Sequence, residues 1–448
     1  MSREPSVEIA GPLGRPPRTR RAATLRALAA LAPLVAEAAT RSVDVIVSAL
    51  VLLLCSPFLA LVGLSARLRG RSALRRERVL GRFQKPFHLL GFSGAGPLCG
   101  LPMFWNVLVG DMALVGPRPL ALEERDAVPV AAMERFSVRP GLTSTYRLGA
   151  GVGIYSGEEF ESDREYYYEE SLKSDLGVLA RSVANRALSG SSTAGTAVGR
   201  FQIFGVEIAN LSMEEAVDWI VERARASRTS RLAFVNPDCL NLAYRNPEYR
   251  GALRDCDLVL PDGIGVHLAC RMLGTRLLAN TNGTDLFPLL CERAALETVP
   301  LYFLGAREGI AQGAAEAMQK RYPGLPIVGT QHGYFPEAEE AAVVDAVADA
   351  EPKVVLVAFG APRQDTWIAD RIDRLPAGVA MGVGGLFDYY SGRIERAPRW
   401  VREVGMEWAW RVLQEPGRLW RRYLVGNPLF LWRVWMQTLG RGPGACNV

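Results

Sequence analysis

The chain has 448 residues, 49% apolar and 22% charged, with a formal net charge of +5. That balance excludes wholesale disorder, collagen-like repeats and a coiled coil, and the charge is too small and too spread to argue for nucleic acid. Seven scattered Cys with no C-x-x-C pair, and three His in all, argue against a zinc site or a disulfide framework and fit a reducing, cytosolic side.

The length implies two or three domains, each able to bury its own core. The basic residues are 48 Arg against 4 Lys, which with the abundant Ala reads as the bias of a GC-rich genome. Residues 1–40 form a basic N-terminus followed by an Ala-rich amphipathic stretch. An apolar core and a cleavage site do not follow the early arginines, so a signal peptide is not expected. Val43 to Leu64 is the one strongly apolar run, long enough for a membrane helix. Asp44 lies near its start and Ser56-Pro57 in its middle. Arg41 precedes it, and Arg67, Arg69, Arg71, Arg75, Arg76 and Arg78 follow it. Basic residues at both ends predict a helix that enters one leaflet, breaks at Pro57 and returns, leaving both flanks in the cytoplasm.

The segment TRSVDVIVSALVLLLCSPFLALV, the string NVLVGDMALVGPRPL (Asn106 to Leu120), and the strings RFSVRPGLTSTYRL and SLKSDLGVLARSV resemble bacterial monotopic phosphoglycosyl transferases over residues 41–186. That resemblance implies a small, mostly helical, membrane-associated domain. It also implies an Asp-Glu pair that works with Mg²⁺ to move a sugar phosphate from a UDP-sugar to polyprenyl phosphate. Cys99 and Gly100 stand where the pair is expected. Glycine offers no side-chain oxygen and a thiolate suits Mg²⁺ poorly. The expectation is a domain that keeps the docking fold without the chemistry.

Residues 187–200 (ALSGSSTAGTAVGR) have linker composition. From residue 201 short apolar runs alternate with helical stretches: RLAFVN, LVLPDG, PLYFLGA, LPIVGT, KVVLVAFG and GVAMGVGG. This βα pattern predicts an α/β, Rossmann-like parallel sheet over residues 201–392, with ligands at the carboxyl ends of the strands. The candidate residues follow the runs: Asn236, then Asp262 and Gly263, and later Gly360, Pro362, Gln364, Gly384 and Gly385. GVGGLFD comes too late for a dinucleotide fingerprint, and no P-loop string is present.

The strings VLPDGIGV, NGTDLF, LGARE, HGYF, AFGAPRQDTWI, GVGGLFDYYSGRIERAPRW and GMEWAWRVLQEPGRLWRRYLVGNP resemble the WecG/TagA/CpsF glycosyltransferases (glycosyltransferase family 26) from Phe201 to Phe430. The resemblance implies inverting transfer from a UDP-sugar to a polyprenyl-diphosphate-linked monosaccharide, in exopolysaccharide or other surface-polysaccharide synthesis, with no required metal or other cofactor. It makes Asp262 the base that takes the acceptor hydroxyl proton. It places Asn236, Gly263, Asn282, Gly283, Asp285, Gly360, Pro362, Gln364, Gly384 and Gly385 around the substrates. Two positions depart from the family pattern: Phe234 replaces a threonine and Asn280 an arginine, with Arg276 close enough in sequence to substitute.

The stretch 393–448 reads as an appendage. From Arg393 to Arg441 it holds ten Arg against four acids, and six of the nine Trp. Arg with Trp suits an interfacial helix, with rings at headgroup level and charge on anionic lipid or diphosphate. Arg396, Arg411, Arg418, Arg421 and Arg422 are the candidates for diphosphate contacts. The expected partners are the UDP-sugar, the lipid-linked acceptor and membrane lipid, without nucleic acid; a homo-oligomer is compatible with the sequence. The rivals are a bifunctional enzyme that also makes the primer, and a non-catalytic scaffold of a polysaccharide complex.

Overall fold

The computed structural model describes residues 20–70, 72–92, 99–151, 159–189, 198–226, 228–375 and 377–440. It opens on an α-helix, Arg20–Leu68. The helix is continuous through Ser56-Pro57, which corrects the expected break. Pro57 cannot donate to the carbonyl of Leu53, and the Ser56 hydroxyl donates to that oxygen instead, at 2.7 Å. Val35–Leu68 is long and apolar enough to cross a membrane by length and composition, and little of it is covered by protein.

The base of this helix is fixed to the domain that follows. Arg41 donates to the carbonyls of Val107 and Leu108 at 2.7 and 2.9 Å, which closes the end of the helix Met103–Val109. The buried Asp44 carboxylate accepts from the amide of Leu114 at 3.0 Å. The chain then returns through a hairpin that the sequence reading did not foresee, Leu74–Leu80 against Pro86–Phe92. At its inner end Arg82 pairs with Glu37 at 2.8 Å. The helix from Glu37 to Leu68 is about 46 Å long, and the stretch from Leu68 to Arg82 spans at most about 48 Å. The stretch from Leu68 to Arg82, which carries Arg75, Arg76 and Arg78, thus travels back the distance the helix travels out.

Two short parallel strands, Ala113–Val115 and Gly141–Thr143, lie at the centre of this domain. A Cβ on Gly116 would come within 2.3 Å of the Arg139 carbonyl, and one on Gly141 within 2.1 Å of the Gly116 amide. Backbone presses on backbone there, which only glycine permits. Helices Glu159–Glu169 and Leu172–Ser189 complete the layer.

The larger domain begins with a hairpin, Arg200–Ile203 and Val206–Ala209. Six strands follow: β1 Ser230–Val235, β2 Leu258–Pro261, β3 Leu301–Gly305, β4 Ile327–Gln331, β5 Val354–Ala358 and β6 Val379–Gly382. All neighbours are parallel, in the order β4-β3-β5-β6-β1-β2. Each of the six apolar runs in the sequence is one of these strands. β3, β5 and β6 are buried along their whole length, as strands covered on both faces must be. After β6 the chain forms helices Arg399–Glu403, Glu407–Gln414, Pro416–Trp420 and Gly426–Thr438. Phe430 and Val434 of the last helix are fully buried in the core of β1 and β2. Gln437 accepts from the Phe204 amide at 3.0 Å.

Replacing Arg41 by Ala should cost about 1–3 kcal/mol, because two helix-end carbonyls lose their donors. A lower melting temperature of the full chain, with an unchanged sheet core by hydrogen exchange, is the expected result.

Candidate active site

A cavity of about 640 Å³ lies over the carboxyl ends of the strands. β1 ends at Asn236, which caps the helix Pro237–Arg245: its side-chain oxygen accepts from the amides of Asp238 and Cys239, each at 3.1 Å. The Asn236 side chain lies close enough to the carboxylate of Asp262 to favour its charged form. Asp262 follows β2, and its amide donates to the Val235 carbonyl at 2.9 Å, tying the two strand ends together. Gly263 has a φ of 92°, and a Cβ there would meet nothing within 4 Å. Its amide donates to the Asn280 side-chain oxygen at 2.7 Å.

Burial raises the Asp262 carboxyl above the ordinary aspartate range, opposed by the charge of Arg411, the Asn236 side chain and Arg422. Raised basicity is what a carboxylate needs in order to take a hydroxyl proton. The opposite wall is cationic. Arg411 lines the cavity with its guanidinium 5.0 Å from the centre of the Tyr389 ring and 3.4 Å from the Tyr423 hydroxyl. Arg422 lines it too, 3.2 Å from Asp238. Among the described residues no group of three or more His, Cys, Asp or Glu could hold a metal ion.

Asn236, Asp262, Gly263, Asn282, Gly283, Gly360, Gln364, Gly384, Gly385, Arg411 and Arg422 therefore meet in one cavity. Within it the polar atoms of two residues are already engaged. Asn282 caps the helix Gly283–Glu297, accepting from the Asp285 amide at 2.9 Å and donating to its carboxylate at 2.8 Å. The Gln364 carbonyl accepts from the amides of Gly360 and Gly384 at 3.1 and 2.9 Å. It pins two glycine loops, so its place is beneath the ligand surface more than on it.

Four expectations are corrected. Asp285 does not line the cavity; it is buried and paired with Arg396. Arg396 is consumed by that pair and by Glu407 at 3.8 Å. Arg421 lies over the ring of Trp420, away from the cavity. Pro362 stands at the start of the helix Arg363–Arg371, outside the lining. The Arg418 side chain lies outside the described residues. Arg276 is exposed and outside the lining, so it does not replace the missing arginine. Phe234 lines the cavity, its ring 3.6 Å from where a Cβ of Gly283 would sit. Sequence reading missed Arg402, Tyr389 and Glu407, which also line it. Arg402 lay in the Arg/Trp stretch, where composition alone does not say which arginines face inward.

In the smaller domain Cys99 is exposed. Arg118, the arginine of the GPRP string, is paired with Glu124 at 3.1 Å and Glu159 at 2.8 Å.

A parallel Rossmann-like sheet with carboxylates and arginines gathered at its strand ends is an arrangement that glycosyl transfer can use. The chain belongs to the WecG/TagA/CpsF family of glycosyl transferases, whose profile matches residues 201–443, more than half of its length. Residues 98–188 match the bacterial sugar transferase profile. A Bacillus spizizenii relative is 36% identical over 189 residues, 42% of this chain and 72% of its own length. One from Bacillus subtilis is 32% identical over 193 residues, 43% and 74% of the two chains. One from Staphylococcus aureus is 28% identical over 237 residues, 52% and 92%. All three are named N-acetylglucosaminyldiphosphoundecaprenol N-acetyl-beta-D-mannosaminyltransferase.

Asp262→Asn should lower transfer about 10²–10⁴-fold with donor binding kept, since size and polarity persist and basicity is lost. The wild-type rate should fall with acid at a pH above the usual aspartate range, because the raised group protonates there and a protonated base is inactive. Arg411→Ala removes a charge that holds the group down, so the acid limb of kcat/KM should move to still higher pH.

Proposed function

We propose that this protein is an inverting, metal-independent glycosyltransferase that moves a sugar from a UDP-sugar onto a polyprenyl-diphosphate-linked monosaccharide. The observation that carries the reading is Asp262 in one cavity with Arg411 and Arg422. The carboxylate takes the proton of the acceptor hydroxyl while that oxygen attacks the anomeric carbon from the face opposite the leaving group. The guanidinium charges offset the negative charge that develops on the departing diphosphate, the part a divalent metal plays elsewhere. The acceptor class follows from the names of the relatives, which specify a lipid-diphosphate N-acetylglucosamine. Phe234 and Asn280 in place of the family's threonine and arginine are a reason to leave the donor sugar to a panel. The pathway served would be exopolysaccharide or another surface polysaccharide.

The membrane reading is a single-leaflet attachment at the cytoplasmic face. A straight crossing, with the globular part on the Glu37 side, would draw the hairpin of Arg75, Arg76 and Arg78 back through hydrocarbon with those arginines charged and most of its outer edges unpaired. Exposed Leu413, Trp420, Leu424, Val425, Trp432 and Trp435 give the appendage a second apolar contact.

Membranes holding the full chain, given a panel of UDP-sugars and polyprenyl-diphosphate N-acetylglucosamine, should yield a disaccharide lipid and UDP, equally with a chelator present. No product from any donor would remove the reading. UMP should not be released from any UDP-sugar given polyprenyl phosphate and Mg²⁺; its formation, lost in Cys99→Ala, would revive the bifunctional enzyme. An impermeant thiol reagent applied to intact cells should leave single cysteines at Gly70 and Ser192 unlabelled, and labelling of the Gly70 site alone would mean a true span.

A further inference from the structure

The cavity wall that carries Arg402 and Arg411 is gripped by the other domain. Helix Arg399–Glu403 lies between the sheet and helices Thr145–Gly151 and Leu172–Ser189 of the sugar-transferase-like domain. Glu403 is 2% exposed. Its carboxylate takes Arg181 at 2.7 Å and Arg399 at 3.0 Å. Asn185 donates from one amide nitrogen to the carbonyls of Leu148 and Glu403, both at 3.1 Å, so one side chain joins the two domains. Arg399 reaches Glu165 of the smaller domain at 2.9 Å.

The residue before Glu403 is Arg402, in the cavity lining and 3.9 Å from Asp285. Arg411 follows one short helix later, after a turn at Gly405 whose φ is 73°. On its cavity side this stretch is held by Asp285 and Arg396 and, at Arg411, by Tyr389 and Tyr423. A segment with so few contacts to the sheet gets its position from whatever fixes its outer face. A buried carboxylate held by two guanidiniums, and a buried amide bridging two carbonyls, are rigid fixings because leaving any member unpaired is costly.

We infer that the sugar-transferase-like domain positions the transfer site: Arg181 and Asn185, through Glu403, hold the Arg402–Arg411 wall where it meets the departing diphosphate. Arg181, Asn185 and Glu403 are positioning residues and touch no substrate. The inference rests on the reading of the cavity proposed above. A domain without its own chemistry thereby has a second task besides attachment to the membrane.

The test uses the full chain in membranes with both substrates saturating. Arg181→Ala and Asn185→Ala should each lower kcat about 10- to 100-fold, as a displaced wall serves the transition state poorly. KM for the lipid acceptor should stay within about twofold, whereas a domain acting only as an anchor would raise KM and spare kcat. Arg181→Lys, which keeps the charge, should recover a large part of kcat. Hydrogen exchange across residues 399–411 should rise in the alanine variants, and an unchanged melting temperature of the sheet excludes misfolding as the cause. Unaltered kcat in both alanine variants overturns the inference, whatever the exchange shows. Arg411→Ala is measured beside them. Normal turnover in that variant condemns the reading of the cavity, while a large loss there beside normal turnover in Arg181→Ala condemns only the positioning role.

Discussion

The placing of Asp262 in one cavity with Arg411, whose charge opposes the effect of burial on that carboxyl, is the constraint the rest of the chain serves. Each charge alone would be costly there, and together each makes the other affordable. The two come from distant places. Asp262 is set by a strand end and a backbone hydrogen bond to β1. Arg411 arrives on an appendage that leaves the sheet after β6 and returns to it only at Phe430 and Val434. The buried pairs Asp285–Arg396 and Arg181–Glu403 are the fixings that keep the second charge over the first.

The sheet was legible because buried parallel strands are short apolar runs bounded by Gly or Pro, and every run kept its place. Asn236 and Asp262 were legible for the same reason: in a parallel sheet whatever follows a strand faces the ligand side. The arginines were not. Gly405, the break at Pro416 and the π-turn Arg421–Val425 each reset the phase of the appendage, so spacing does not predict which side chains turn inward. Arg422 faces the cavity and its neighbour Arg421 lies on Trp420. Its motif places Asp285 near the substrates, and the Arg/Trp composition around it suggests the same of Arg396; the structure pairs them with each other.

The helix Arg20–Leu68 teaches the complementary lesson. Proline implied a break, and the serine before it supplied the missing donor. The decisive feature for membrane placement was long-range, the return of Arg82 to Glu37, which no local pattern encodes. In the domain beyond, Gly116 and Gly141 keep their strings because two backbones touch there. Motif residues can be held in place by packing alone.

The wall of the site is also the last part of the chain to be made. Synthesis delivers the apolar helix first, the sheet with Asp262 next, and Arg402, Arg411 and Arg422 only near the end. Domains generally fold in the order they emerge. A product stopping before residue 396 would lack Arg402, Arg411 and Arg422, and with them the helix that brings Phe430 and Val434 into the core of β1 and β2.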